Sequence, residues 1–215
     1  LFRSTPSINM RGAIAGILTS RLSSSMHLGA FEVEFGRNTE LGDNLRASLI
    51  LTVIISAALA VFGKIICMGT GTPVIGIAEM IIISVISGTL AGILVTVVGV
   101  LVSIVCYRKF WDLDMIGAPA VTTLGDIVTL PFLVMTALLV TALPFAGKAV
   151  LGCIVLAMLL WAVISFKRGT RTMMVVLREG LPLLLPLSLL GITAGVLYTN
   201  QLDALISAAA VLILI

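Results

Sequence analysis

The chain has 215 residues, of which 60% are hydrophobic and 11% are charged, and its formal net charge is +3. Soluble domains contain about 25% charged residues, so this composition excludes a protein that folds in water around one core. The small positive charge lies in connecting segments and does not indicate nucleic-acid binding, and the three cysteines and one histidine lack zinc or redox spacing. The composition indicates an all-α integral membrane protein, a polytopic helical bundle.

Five apolar segments are long enough to cross a membrane, since one helical crossing takes about 20 apolar residues. In chain order they are residues 46–66, 73–107, 115–145, 149–166 and 179–199, and residues 1–20 and 202–215 are predicted to be pieces of further spans. The second segment exceeds one perpendicular crossing, so we expect it to tilt, kink or project beyond the membrane. We also expect the chain to be a fragment of a longer protein, because it starts without Met and both ends fall in apolar sequence.

The lysines and arginines of the connections predict the orientation of the chain. Residues 22–45, 108–114 and 167–178 hold most of them, whereas the opposite connections hold little beyond Lys64 and Lys148. The three basic connections are therefore predicted to be cytoplasmic, in a multi-pass protein of the cell membrane.

Three acidic side chains fall within the predicted spans: Glu79, Asp126 and Glu179. Glu79 and Glu179 lie near span ends and are interpreted as interfacial charges. Asp126 lies deeper, with a long apolar stretch after it. A charge at the centre of a membrane helix costs about 2.5–3.5 kcal/mol on insertion scales and seldom faces lipid, so Asp126 is the main candidate for a functional residue.

The residues around Asp126 predict a site rich in oxygen ligands. Pro119 and two nearby glycines are expected to loosen the helix and free backbone carbonyls, such as that of Ala118. Thr122 lies one turn before Asp126 on the same face. Oxygen ligands without nitrogen or sulfur favour Mg²⁺, Mn²⁺ or Ca²⁺ over Zn²⁺ or Cu²⁺, so Asp126, Thr122 and Ala118 are the predicted metal ligands. The alternative is a proline kink in which Asp126 caps free amides or pairs with an arginine.

A second set of residues is predicted to line a pore beside these ligands. From the helix of Asp126 we include Pro119, Thr123, Gly125 and Thr129. The inward segment "PSINMRGAIAGILTSRLSSS" contributes Asn9, Gly12 and Ser20, because its glycines permit a close backbone approach. A separate ladder of small residues, four apart, is expected to pack against another helix: Ser84, Gly88, Gly92 and Thr96.

Two of these stretches resemble the MgtE-type magnesium transporters, and especially their two-repeat eukaryotic solute-carrier relatives. That family has a proline, a short run of small or polar residues and then S-L-G-D-L-I-T-L. The segment "PAVTTLGDIVTL" matches this pattern from Pro119 to Leu130. It also has G-N-L-E-M-T-L-A-S-R-L-S-T, of which "GAIAGILTSRLSS" keeps Gly12 and the run from Ser20 to Ser23. The family Asn and Glu fall on Ala13 and Ala15.

The resemblance implies a function, an organisation and an assembly. It implies transport of a divalent cation, Mg²⁺ first with Mn²⁺ or Ca²⁺ as alternatives, by a protein that is not an enzyme. The ion path would run between two pseudo-symmetric repeats or two protomers. Residues 1–146 would belong to one repeat, 147–170 would form a connecting helix, and 171–215 would start a second repeat.

Two other functions fit the residues without the resemblance. One is a proton-coupled secondary transporter of a small solute, which predicts a cavity lined by aromatic and hydrogen-bonding side chains. The other is a membrane scaffold, which predicts that Asp126 is paired with an arginine and shielded from water.

Overall fold

The described part of the chain folds into six α-helices. A computed structural model describes residues 5–29, 36, 39–69 and 75–213, without the side chains of residues 5–9, 114, 118 and 198–213. The helices are α1 Thr5–His27, α2 Glu40–Gly69, α3 Ile77–Lys109, α4 Leu113–Ala142, α5 Phe145–Lys167 and α6 Arg171–Ile213. No strand occurs in these described ranges, so the predicted all-α class is confirmed.

Helices α2 to α6 are each long and apolar enough to cross a membrane, and their apolar stretches coincide with the five predicted spans. Together with their composition, this makes the chain a multi-pass integral membrane protein. Helix α3 has 33 residues, which gives a length of about 50 Å at 1.5 Å per residue. It therefore exceeds the hydrocarbon thickness of about 30 Å, in agreement with the expectation for the segment 73–107.

Three helices differ from the sequence-based expectations. Helix α1 runs on to His27, although residues 22–45 were predicted to form a connection. Helix α4 is continuous from Leu113 to Ala142, although loosening at Pro119 was predicted. Helix α6 is also continuous over 43 residues, whereas two separate spans were expected in this region.

Helix α1 lies inside the bundle, where it contacts α2, α3, α4 and α6. Its buried apolar residues join a large core between α1, α2, α3 and α6, which includes Met10, Ile50, Leu51 and Leu177. A smaller core at the end of the bundle contains Leu22, Leu41 and Leu113. Helix α5 is peripheral. Its main contacts are with α2 and α3, and its buried residues are Val155 and Ala162.

Polar contacts join neighbouring helices at both ends of the bundle. At one end, Arg21 of α1 forms an ion pair with Glu179 of α6, and the Thr170 hydroxyl donates to Asp43 of α2 at 2.6 Å. At the other end, Lys148 of α5 forms a 2.6 Å ion pair with Glu79 of α3. In a chain whose helices alternate in direction, these helix ends lie on the same side of the membrane. The predicted orientation requires the same arrangement.

Candidate functional site

The central feature of the candidate site is the open face of α4, which we define as Pro119, Thr123, Asp126 and Ile127. All four side chains are exposed in the single chain. Asp126 lies midway along the helix, and Ile127 next to it is 63% exposed. The carboxylate thus sits at membrane depth on a helix face that no described part of the chain covers. It has no hydrogen bond or ion pair with any described residue.

The backbone of α1 passes directly beside Asp126 at Gly12. A Cβ atom added at Gly12 would lie 3.5 Å from Thr122 Cγ2 and 3.9 Å from Asp126 Oδ1. Thr122 and Asp126 are one turn apart, so both side chains reach the same point on α1. The structure therefore brings together Asp126, Thr122 and Gly12, three of the residues that the sequence singled out.

A second glycine brings the two helices close on the side of α4 that faces the bundle. A Cβ atom at Gly125 would lie 3.8 Å from the Gly12 nitrogen and 3.8 Å from Arg11 Cβ. Gly125 is buried at this crossing. Small residues at a crossing let two membrane helices pack with their backbones close together. Here Gly12 and Gly125 set the position of α1 relative to Asp126.

Helix α4 stays helical through Pro119, so a freed segment of backbone does not form the site. Pro119 has no N–H and cannot donate to the carbonyl of Met115, but it removes only this one bond near the start of the helix. The hydroxyls of Thr122 and Thr123 donate to the carbonyl of Pro119 at 3.1 and 2.8 Å. Ala118 lies within the same helix, where a carbonyl is directed at the N–H four residues later.

Other predicted pore residues lie apart from Asp126. The Thr129 side chain is fully buried, and its hydroxyl donates to the carbonyl of Gly125 at 2.5 Å. Ser20 lies two turns beyond Gly12 along α1 and is exposed. Asn9 is in α1, but its side chain is outside the described residues.

Ser20 lies in a polar cleft at the end of the bundle predicted to be cytoplasmic. The cleft has a volume of about 690 Å³ and is also lined by Gly16, Arg21, Glu40, Asn44 and Glu179. Gly12, Gly16 and Ser20 follow one another at four-residue intervals, so one face of α1 leads from Asp126 to this cleft. Among the described residues, no atom outside α1 lies within 4 Å of a Cβ added at Gly16.

The small-residue ladder of α3 packs against α2. A Cβ at Gly92 would lie 2.8 Å from Thr52 Cγ2, and a Cβ at Gly88 would overlap the Ser56 hydroxyl. The Ser84 hydroxyl donates to the carbonyl of Ser56 at 2.6 Å, and Thr96 is 6% exposed. The partner face of α2 is itself a ladder of small polar residues, buried and spaced by four: Ser48, Thr52 and Ser56.

Sequence reasoning missed one charged residue of this interior. Arg11 is only 4% exposed and donates to the carbonyl of Gly88 and, at 3.2 Å, to the Ser56 hydroxyl. The signal was present, because Arg11 is a charge inside a predicted span. Its guanidinium is directed away from Asp126, so the arginine pairing expected for a scaffold is not seen in the described part of the chain.

The oxygen atoms beside Gly12 suit a hydrated hard cation better than a fully protein-bound one. They are those of the Asp126 carboxylate, because Thr122 presents its Cγ2 to Gly12 and its hydroxyl donates to the carbonyl of Pro119. No cluster of three His, Cys, Asp or Glu residues occurs among the described residues. Mg²⁺ is commonly held by one or two carboxylates while keeping several waters, whereas Zn²⁺ prefers nitrogen and sulfur ligands. A lone carboxylate on a face without other charges can attract such an ion and let it leave.

Fold and site together define a class: a polytopic helical membrane protein with an intramembrane carboxylate suited to a cation. The comparison with protein families identifies that class more closely, because the MgtE family, described as divalent cation transporters, matches residues 5–136. The chain therefore belongs to the MgtE family. The match includes α1 and the Asp126 region of α4, and it ends before α5 and α6. Comparisons with curated proteins and with solved structures found no significant match.

Proposed function

We propose that this chain moves Mg²⁺ across a membrane, with Asp126 as the residue that attracts the ion. Family membership supports a divalent cation as substrate. We choose Asp126 because its side chain is exposed on the open face of α4, beside Gly12. A charged carboxylate facing lipid at this depth is costly, so the face borders water, an ion or another protein surface.

The ligands at this position favour Mg²⁺, with Mn²⁺ and Ca²⁺ as related substrates. Asp126 supplies the charge, and the Thr122 hydroxyl supplies a neutral oxygen one turn away. Ala118 remains a predicted carbonyl ligand. Ca²⁺ takes six to eight oxygen ligands, which this sparse set does not provide, whereas Mg²⁺ brings much of its own water shell.

The path is completed, in this proposal, by a second repeat or a second protomer that covers the open face of α4. Within the described residues, α1 contacts Asp126 at Gly12, and the Asp126 side chain is otherwise exposed. A pseudo-symmetric partner would place a second α4 opposite the first and close the path. In the corresponding organisation, residues 1–146 belong to one repeat, 147–170 connect it, and 171–215 begin the next.

From Asp126 the ion would continue along Gly12, Gly16 and Ser20 to the polar cleft. The open space at Gly16 and the exposure of Ser20 support this direction. Glu40 at the cleft adds negative charge, which raises the local concentration of cations, whereas Glu179 is paired with Arg21. The membrane potential can drive inward movement, since each charge gains about 2.3 kcal/mol per 100 mV.

The apolar cavity of the bundle does not support the proton-coupled solute transporter. The apolar cavity between α2, α3, α4 and α6 has a volume of about 230 Å³, and its lining holds no aromatic side chain and a single hydroxyl, that of Ser84. A pocket for an organic solute would present several hydrogen-bonding groups in fixed positions.

The direct test is Mg²⁺ flux into proteoliposomes with Asp126→Asn. Asn keeps the size and one oxygen but removes the charge, so we expect flux to fall by about tenfold or more. Glu79→Gln is the matched control, because it removes a span carboxylate that pairs with Lys148 of α5 and is not part of the proposed path. Equal flux in wild type and Asp126→Asn, with gel filtration showing both folded, would remove Asp126 from the path.

A further inference from the structure

Arg11 is a buried charge that the proposed path does not use. Its guanidinium reaches between α2 and α3, where Nη1 donates to the carbonyl of Gly88 and Nη2 to the Ser56 hydroxyl at 3.2 Å. Arginine keeps its charge at neutral pH, and two contacts satisfy only part of its five donors. Within the described residues, no carboxylate lies within ion-pair distance of Arg11.

Packing alone does not account for an arginine at this position. A buried charge without a counter-charge loses its hydration and is strongly unfavourable, whereas an apolar side chain of similar length carries no such cost. Gly88 leaves the room that the guanidinium needs, since a Cβ there would lie 2.6 Å from Arg11 Nη2. The chain therefore accommodates a positive charge where a methionine or leucine would be cheaper to bury.

Arg11 and the Asp126 site lie at the same level of the bundle. Arg11 Cβ is 3.8 Å from the Cβ position of Gly125, and the next residue, Gly12, contacts Asp126. The backbone of α1 thus separates the guanidinium on one side from the carboxylate on the other. No described carboxylate forms an ion pair with Arg11, so no direct partner neutralises its charge on the far side of α1 from Asp126.

We propose that Arg11 is a specificity-determining residue that lowers the affinity of the Asp126 site for divalent cations and so speeds their release. This inference rests on the proposed function. A site that conducts an ion must bind it weakly enough to let it leave. A fixed positive charge repels a divalent cation twice as strongly as a monovalent one at the same distance, so Arg11 limits how tightly Mg²⁺ is held.

The test compares neutral and charged replacements of Arg11 in the full chain. Arg11→Gln keeps amide donors for Gly88 and Ser56 but loses the charge, and Arg11→Lys keeps the charge. In proteoliposomes, we expect Arg11→Gln to lower the half-saturating Mg²⁺ concentration by about tenfold and to reduce the maximal flux. Arg11→Lys should keep the half-saturating concentration within about twofold of wild type.

A purely structural role would give a different pattern. It predicts an unchanged or higher half-saturating concentration in Arg11→Gln, and either result would overturn the proposal. Ser56→Ala is the matched control, because it removes the hydroxyl that accepts from Arg11 while the charge stays. If Ser56→Ala shifts the half-saturating concentration as far as Arg11→Gln does, the hydrogen bond and not the charge is responsible.

A second measurement does not depend on transport. Mg²⁺ that binds the folded protein raises its thermal unfolding temperature, and the concentration for half of this rise should be lower in Arg11→Gln than in wild type. Arg11→Met provides another neutral variant. If both neutral variants fail to fold while Arg11→Lys folds, the charge is a structural requirement and the proposal is rejected.

The two proposals fail in distinguishable ways. If wild-type protein neither transports Mg²⁺ nor is stabilised by it, the proposed function fails and this inference fails with it. If Asp126→Asn abolishes both responses but Arg11→Gln leaves the half-saturating concentration unchanged, only the role of Arg11 is wrong.

Discussion

Gly12 of α1 lies against Asp126 of α4, with 3.9 Å between the Cβ position of the glycine and the carboxylate Oδ1. No side chain stands between the α1 backbone and this carboxylate. Any residue larger than alanine at position 12 must therefore displace Thr122, Asp126 or the helix itself. The geometry of the proposed ion position depends on this glycine as directly as on the carboxylate.

The first prediction concerns the space at Gly12. Gly12→Leu should destabilise the protein by about 1–3 kcal/mol, because extra methylenes in a close helix crossing force side chains and backbone apart. Gly16→Leu is the control on the same helix, since open space surrounds its Cβ position. Thermal unfolding in detergent should show a larger loss for Gly12→Leu. An equal loss for the two variants would mean that α1 does not pack on α4 at Gly12.

The second prediction concerns the length of the acidic side chain. Asp126→Glu keeps the charge but moves the carboxylate by one methylene. We expect a flux of Mg²⁺ between those of wild type and Asp126→Asn, because Mg²⁺ demands near-octahedral geometry. Ca²⁺ tolerates variable geometry, so any uptake of Ca²⁺ should fall less. Parallel flux measurements with the two ions test this, and a greater loss for Ca²⁺ would contradict it.

The third prediction concerns the α2–α3 contact. Gly88→Leu or Gly92→Leu should impair folding, because a Cβ at these positions already meets Ser56 or Thr52. Leu94→Ala, on the exposed side of α3 at 39% exposure, is the control and should cost less. Yield of monodisperse protein on gel filtration and the thermal unfolding temperature report the difference. Wild-type behaviour of both glycine variants would show that α2 and α3 are not in close contact.

The fourth prediction concerns orientation. In a variant without Cys67, Cys106 and Cys153, a cysteine placed at Asp112 or Gly169 should resist an impermeant thiol reagent added outside intact cells. A cysteine at Gly76, at the opposite end of the bundle, should react. Labelling of positions 112 and 169 with protection of position 76 would invert the predicted topology.

The fifth prediction concerns the second repeat or protomer that is proposed to cover the open face of α4. Ile127→Cys should form a disulfide with its counterpart in a second copy, or with the facing helix of a second repeat, when membranes are oxidised. Leu156→Cys on α5 is the control, being similarly exposed at 60%. These experiments also use the variant without native cysteines. Cross-linking at position 156 but not at 127 would place the partner on α5 instead.

Much of this architecture could be predicted from the sequence because membrane spans follow from length and apolar composition. The five spans and the depth of Asp126 depend on local properties of the chain. The spacing of Thr122 and Asp126 also predicted that they share a face, since helical periodicity is fixed. The family resemblance of the segment from Pro119 to Leu130 agrees with the family match.

The features that could not be predicted depend on contacts between distant residues. Helix continuity at Pro119 was missed because the loss of one hydrogen bond near a helix start does not outweigh the packing of the turns around it. The buried position of Thr129 depends on which side of α4 meets the bundle. Arg11 stood out in the sequence as a charge inside a predicted span, but the position of its guanidinium between α2 and α3 depends on the tertiary structure.

Helix α5 has polar pairs to the bundle near both of its ends and buries only Val155 and Ala162 between them. Lys148 near its start pairs with Glu79, and Thr170, three residues after its end, bonds to Asp43. Inserting or deleting one residue within α5 would rotate one end by about 100° relative to the other and separate one of these pairs. Over evolutionary time, α5 can therefore exchange its exposed apolar residues, whereas a change in its number of residues is disfavoured.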